Sequence, residues 1–170
     1  VSVRDAQRSL VYDAESVVRG IFDRADRGTD RQLELFGSHL TLPVERRFAS
    51  AESVQDYADR VLTLNWLRAR WPRSAVPITV RTRAGAKAAH YEPATATLAV
   101  PVVGSESRWA LRELVVLHEL AHHLEPDGAD LAPHGPEFVD RYLVLVEEIV
   151  GGEAAFVLRT VLVENGVRLG

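Results

Sequence analysis

Cysteine is missing from this chain, which removes disulfides, thiolate metal ligands and a cysteine nucleophile from consideration. Any metal site therefore has to be built from His, Asp and Glu. Lysine is nearly missing too. Lys87 is the single one among many arginines, and with the abundant Ala and Val this reads as the coding bias of a GC-rich genome. No apolar run approaches the roughly 18 residues a membrane-spanning helix needs. The opening VSVRDAQRSL lacks the apolar centre of a signal peptide. A cytoplasmic protein with no membrane partner is the expectation.

What is present is an ordinary soluble composition, 46% hydrophobic and 26% charged over 170 residues, enough for one domain spanning 1–170 with a sizeable core. The net charge of −4 argues against a chain that binds nucleic acid over its whole surface. The charge is uneven, however. Arg68, Arg70, Arg73, Arg81, Arg83 and Lys87 fall in a stretch without an acid. With Trp66 and Trp71 nearby, this stretch reads either as a nucleic-acid surface or as the solvated face of an arginine-biased sheet.

Helical spacing of Leu10, Ala14, Val17 and Ile21 predicts a first helix ending at Gly28. Residues 33–43 read as a strand, or a strand pair broken at Gly37. A second helix is expected from Ser50 to Trp71-Pro72, with Val54, Ala58 and Val61 inward. ITVRTR alternates, with Ile78 and Val80 on one face. AAHYEPATATLAVPV reads as a hairpin turning at Glu92 to Thr95, and its strand from about Thr95 to Val102 is a candidate to pair with an extended substrate. Helices are then expected over about 107–124, 135–150 and 153–165. Strands early and helices late predict an α+β fold, a small mixed sheet packed by helices.

The chemistry lies in His118-Glu119-Leu120-Ala121-His122. Residues four apart on a helix lie one turn above each other on one face, so two imidazoles at this spacing can grip one metal ion. Glu119 lies about 100° further round, beside the metal rather than on it. There it is placed to take a proton from a water acidified by zinc. The apolar flanks LVVL and LAHHL put this motif on a central buried helix. Burying two imidazoles and a carboxylate without partners costs several kcal/mol, an objection that a bound metal removes.

A catalytic zinc takes three protein ligands. His134, 16 residues after His118, opens His134-Gly135-Pro136-Glu137-Phe138. Pro136 and Glu137 suit the first turn of a helix, and Phe138, Tyr142, Leu145 and Ile149 form its apolar stripe. Glu125, Asp127 and Asp130 in the connecting loop, and Glu147 and Glu148 on the next helix, are alternative ligands. The metzincin pattern HExxHxxGxxH does not apply. Glu125 and Gly128 stand where its Gly and third His belong, and there is no Met for a Met-turn. His123 is read as a neighbour of the site or a surface residue, and His39 as a strand or turn residue. His90 and Tyr91 are candidates to stabilise a developing oxyanion. Asp127, Asp130 and Asp140 are candidates to orient the ligand imidazoles.

HELAH followed by HGPEF resembles the SprT-like zinc metalloproteases, which include the Spartan group, over about residues 107 to 142. The chain is more similar still to a set of small actinobacterial metallohydrolases. These share RWALRELVVLHELAHHL, HGPEF and an RDAQR-type beginning, over most of the length. The resemblance implies a zincin-like domain with His118, His122 and His134 as zinc ligands and Glu119 as catalytic base. The chain departs from SprT proteins in having no cysteine for a zinc ribbon and a shorter loop between ligands than Spartan. The expected activity is hydrolysis of amide bonds in a peptide or protein substrate. The alternatives are a DNA-associated protease acting on DNA-bound proteins and a non-catalytic zinc-stabilised interaction domain.

Overall fold

A computed structural model describes residues 3–85, 87–102 and 110–170. The chain forms two compact units, Val1–Glu45 with Asp130–Gly170, and Arg46–Ala129. Both mix helices with small strand pairings. No helix among the described residues is long and apolar enough to cross a membrane.

The first unit contains α1 (Arg8–Arg27), the paired strands β1 (Gln32–Leu35) and β2 (Ser38–Thr41), and two later helices that pack together. Helix α1 buries Val11, Ala14, Val18 and Phe22, while Val17 is 49% exposed. The sequence carries two adjacent stripes, 10/14/17/21 and 11/14/18/22, and the helix turns the one with the bulky Phe22 inward. Periodicity cannot choose between stripes that share a residue. The strand pair breaks at Gly37 as read from the sequence. Phe36 (φ 48°) and Gly37 (φ 79°) both adopt the left-handed conformation of a tight hairpin turn.

The later helices are Pro136–Ile149 and Gly152–Glu164. The first has Pro136 in its opening turn and buries Phe138, Tyr142 and Leu145. The second ends in a Schellman motif. Gly166 at φ 77° lets its own N–H reach Val163 and that of Val167 reach Leu162.

In the second unit, α2 (Ala51–Leu62) starts at a capping box in which Ser50 and Ser53 exchange side-chain-to-backbone bonds. The single helix expected to reach Trp71 is instead two. Leu64 is extended (ψ 128°), and α3 (Asn65–Arg70) begins after it. The Thr63 hydroxyl turns back onto the Arg60 carbonyl at 2.7 Å, and the break lets Leu67 become fully buried.

Strands β3 (Thr79–Arg83), β4 (His90–Glu92) and β5 (Thr97–Pro101) form one sheet in the order β3-β5-β4. The hairpin between β4 and β5 turns at Pro93–Thr95, as its sequence indicates. Its partner β5 is buried along its length and pairs in parallel with β3 on the other side. The expectation that this strand could receive an extended substrate fails for that reason: over Thr97 to Ala99 both its edges are taken. The far edge of β3 is also engaged, because Gln55 of α2 donates to the Ile78 carbonyl and accepts from Val80 N–H.

Helix α4 (Glu113–His123) packs beside β4. Its expected start near Ser107 lies outside the described residues. Over Ala110 to Arg112 the chain is not yet α-helical. Arg112 is extended and bridges to Arg47. The helices of the first unit, Pro136–Ile149 and Gly152–Glu164, are α5 and α6 below.

Candidate metal centre

Helix α4 carries polar groups into a buried setting, and each is held. At its first turn Glu113, fully buried, takes the Arg46 backbone N–H at 3.0 Å and guanidinium at 2.5 Å, and the Tyr57 hydroxyl at 2.7 Å. This anchor sets the axial position of a helix that is apolar on almost every side. Leu114, Val116, Leu117, Leu120 and Ala121 are all buried.

One turn and a half further on, His118 and His122 bring their Nε2 atoms to 3.2 Å. His118 is buried and His122 half-buried. Around a tetrahedral zinc with bonds of about 2.0–2.1 Å, neighbouring ligand atoms lie about 3.3 Å apart. The donor pair therefore fits one metal ion. His134, the third ligand expected from the sequence, belongs to the other unit. Imidazole nitrogens without a thiolate suit zinc and related divalent ions.

Glu119 is buried, and its Oε2 accepts the Tyr91 backbone N–H at 2.8 Å. Tyr91 is the middle residue of β4, opposite Leu98 of β5. Its N–H points away from the sheet, and the strand's outer edge so fixes the carboxylate. Sequence reading missed this link between hairpin and helix, for which a backbone donor leaves no residue signature.

Of the two oxyanion candidates, His90 is exposed and Tyr91 buried. The Tyr91 hydroxyl is already committed. His123 Nε2 lies 3.0 Å from the Val76 carbonyl, which can only accept, so that nitrogen carries the hydrogen. Nδ1 is then the acceptor for the Tyr91 hydroxyl at 2.8 Å. Burial lowers the His123 pKa below its ordinary value, in keeping with a neutral ring. His123 is thus a fully buried support for Tyr91 rather than a surface group. Tyr91→Phe should leave His123 Nδ1 without its donor and lower stability by about 1–3 kcal/mol. Urea unfolding checks this, and an unchanged midpoint would show that the ring nitrogen finds another partner.

His134 sits before α5, as read from the sequence, with its ring between Tyr12 and Phe138 at 5.3 and 5.0 Å. Its Nδ1 is 2.7 Å from Asp5 Oδ2, and its carbonyl accepts from Gln7 at 3.0 Å. Asp5 was not among the orienting acids expected from the sequence, although it lies in the RDAQR beginning. Asp127 pairs with Arg73 instead, Asp130 is exposed and Asp140 half-buried. As for the alternative ligands, Glu147 and Glu148 are exposed and Glu125 lines a cavity. His39 is an exposed strand residue.

That cavity, about 550 Å³, lies in the Arg46–Ala129 unit, and Arg73, Tyr91, Pro93, His122 and Asp127 are among its walls. Within the basic stretch, Arg68, Arg70, Arg81, Arg83 and Lys87 are exposed and Arg73 is half-buried. Arg68 bonds the Leu62 carbonyl, Arg70 lies over the Trp71 ring, Arg73 lines the cavity and Arg81 pairs with Glu92 at 3.6 Å. The chain matches no family model, no curated protein and no solved structure, so its function has to be argued from these residues.

Proposed function

We infer that the chain is a zincin-like, zinc-dependent hydrolase of amide bonds in a peptide or protein. The observation that carries this reading is the convergence of His118 and His122 Nε2 at 3.2 Å on a buried helix whose intervening Glu119 is separately held. His118, His122 and His134 would hold the ion. When bound, zinc supplies a Lewis acid that acidifies water and polarises a carbonyl.

The protein's own part is proton handling and positioning. Glu119 takes the proton of the attacking water and delivers it to the leaving amine. Its Oε2 is fixed by Tyr91 N–H, so the carboxylate is oriented before substrate arrives, which spares reorganisation during reaction. The cavity beside His122 offers room for a substrate side chain or terminus next to the ligand pair.

Purified protein should carry about one zinc per chain. Zinc-loaded protein should cleave members of a panel of denatured proteins and peptides, and chelator-treated protein should not. Absence of bound metal after zinc loading, or cleavage indifferent to chelation, would sink the reading.

A further inference from the structure

The cavity wall holds a guanidinium whose partners are unequal. Arg73 lies in the short 3-10 turn Pro72–Ala75, which is pinned by Ser74: its N–H and hydroxyl both bond the Trp71 carbonyl. The Arg73 side chain is only 15% exposed. A guanidinium so covered needs partners for its five N–H groups. Among the described residues it has two: the Tyr91 hydroxyl oxygen at 3.4 Å, and Asp127.

The Tyr91 contact belongs to the rigid framework. Its hydrogen goes to His123, so its oxygen is left to face Arg73 as an acceptor. Asp127 differs. It follows Pro126 in an exposed loop, its side chain is 77% exposed, and its carboxylate reaches in to Arg73. An ion pair with one member so exposed changes an equilibrium by at most about fivefold. Water can hydrate Asp127 when it leaves, whereas the less exposed Arg73 guanidinium stays in the cavity wall, open to a replacement anion. A carboxylate is the natural one, because its two oxygens match two parallel N–H groups of the guanidinium fork.

We propose that this cavity is a carboxylate-binding subsite, in which Arg73 is the receptor and Asp127 an internal occupant that an acidic group of the ligand displaces. The ligand is a peptide bearing a carboxylate, either a Glu or Asp side chain or a free C-terminus. His122 lines the same cavity, so the carboxylate docks next to the metal-binding pair. Calling that peptide a substrate rests on the hydrolase reading; the binding itself does not.

The two claims are separated by measuring binding without zinc, which also prevents the metal from acting as the carboxylate receptor. Three probes titrated calorimetrically into chelator-treated protein suffice: acetyl-Ala-Ala-Glu-amide, acetyl-Ala-Ala-Ala with a free carboxylate, and the neutral acetyl-Ala-Ala-Gln-amide. At least one acidic probe should bind about fivefold or more tightly than the neutral one, and which of them does so identifies the source of the carboxylate. Arg73→Gln should abolish that preference, and Arg73→Lys, which keeps the charge but not the fork, should retain part of it. Asp127→Asn should have the opposite effect and tighten acidic probes by up to about fivefold. Circular dichroism confirms that each variant is folded. Equal binding of acidic and neutral probes, or weaker acidic binding in Asp127→Asn, would overturn the proposal and leave Arg73–Asp127 as a structural pair.

Discussion

Glu119→Gln should bind zinc like the parent chain and lose hydrolysis by roughly 10²- to 10⁴-fold, the range for removing a general base. The two expectations come from different features. Zinc retention follows because the proposed ligand nitrogens belong to His118, His122 and His134, and glutamine leaves those side chains in place. The loss follows because an amide cannot accept the proton of the attacking water. Glutamine keeps nearly the same shape, and its amide oxygen can still accept the Tyr91 N–H that Glu119 Oε2 accepts at 2.8 Å. The fold should therefore be preserved, which a urea unfolding curve would verify. The variant also discriminates between readings. A non-catalytic zinc-stabilised domain requires Glu119→Gln to be silent in every assay. If a chelator-sensitive cleavage survives the substitution at full rate, Glu119 is not the base.

How far the site could be read in advance depended on how local its parts are. His118, Glu119 and His122 lie within five consecutive residues, and helix geometry alone puts the two imidazoles on one face. The start of α5 was equally legible, since Pro136 and Glu137 satisfy first-turn requirements that need no tertiary information. Contacts between distant residues were not legible. Asp5 and His134 are 129 positions apart, whereas Asp127, a candidate for such a role that lies close to the histidines in sequence, pairs with Arg73. The same holds for the strand after the hairpin. Its apolar run suggested a strand, but only the pairing with β3 reveals that β5 is central rather than an edge. The helix expected from about Ser107 is α-helical only from Glu113 among the described residues, where the extended bridge of Arg112 to Arg47 and the anchoring of Glu113 by Arg46 and Tyr57 set its start.

Zinc affinity should fall in two graded steps when the His134 arm is altered. Structural zinc sites with four ligands bind with about 10–16 kcal/mol, or about 3 kcal/mol per ligand, so His134→Ala should weaken binding by roughly a hundredfold or more. Asp5 acts one bond further out. Its Oδ2 lies 2.7 Å from His134 Nδ1, and a carboxylate there accepts a hydrogen, so Nδ1 carries it and Nε2 keeps the lone pair for a metal. The ring cannot easily turn away, because Tyr12 and Phe138 flank it and Gln7 holds its carbonyl. Removing such an orienting partner typically weakens metal binding by about 10- to 100-fold. Asp5→Asn should fall at the mild end, since its amide oxygen can still accept from Nδ1 without the charge, and Asp5→Ala at the severe end. The buried Asp5 Oδ1, which has no hydrogen-bond partner among the described residues, offers no competing reason for a carboxylate at this position. Competition against a chromophoric chelator gives the affinities directly and needs no substrate. The order parent, Asp5→Asn, Asp5→Ala, His134→Ala from tightest to weakest would establish the arm as part of the metal site. Parent-like affinity in His134→Ala would remove His134 from the ligand set, whereas parent-like affinity in both Asp5 variants alone would reduce Asp5 to a structural tie.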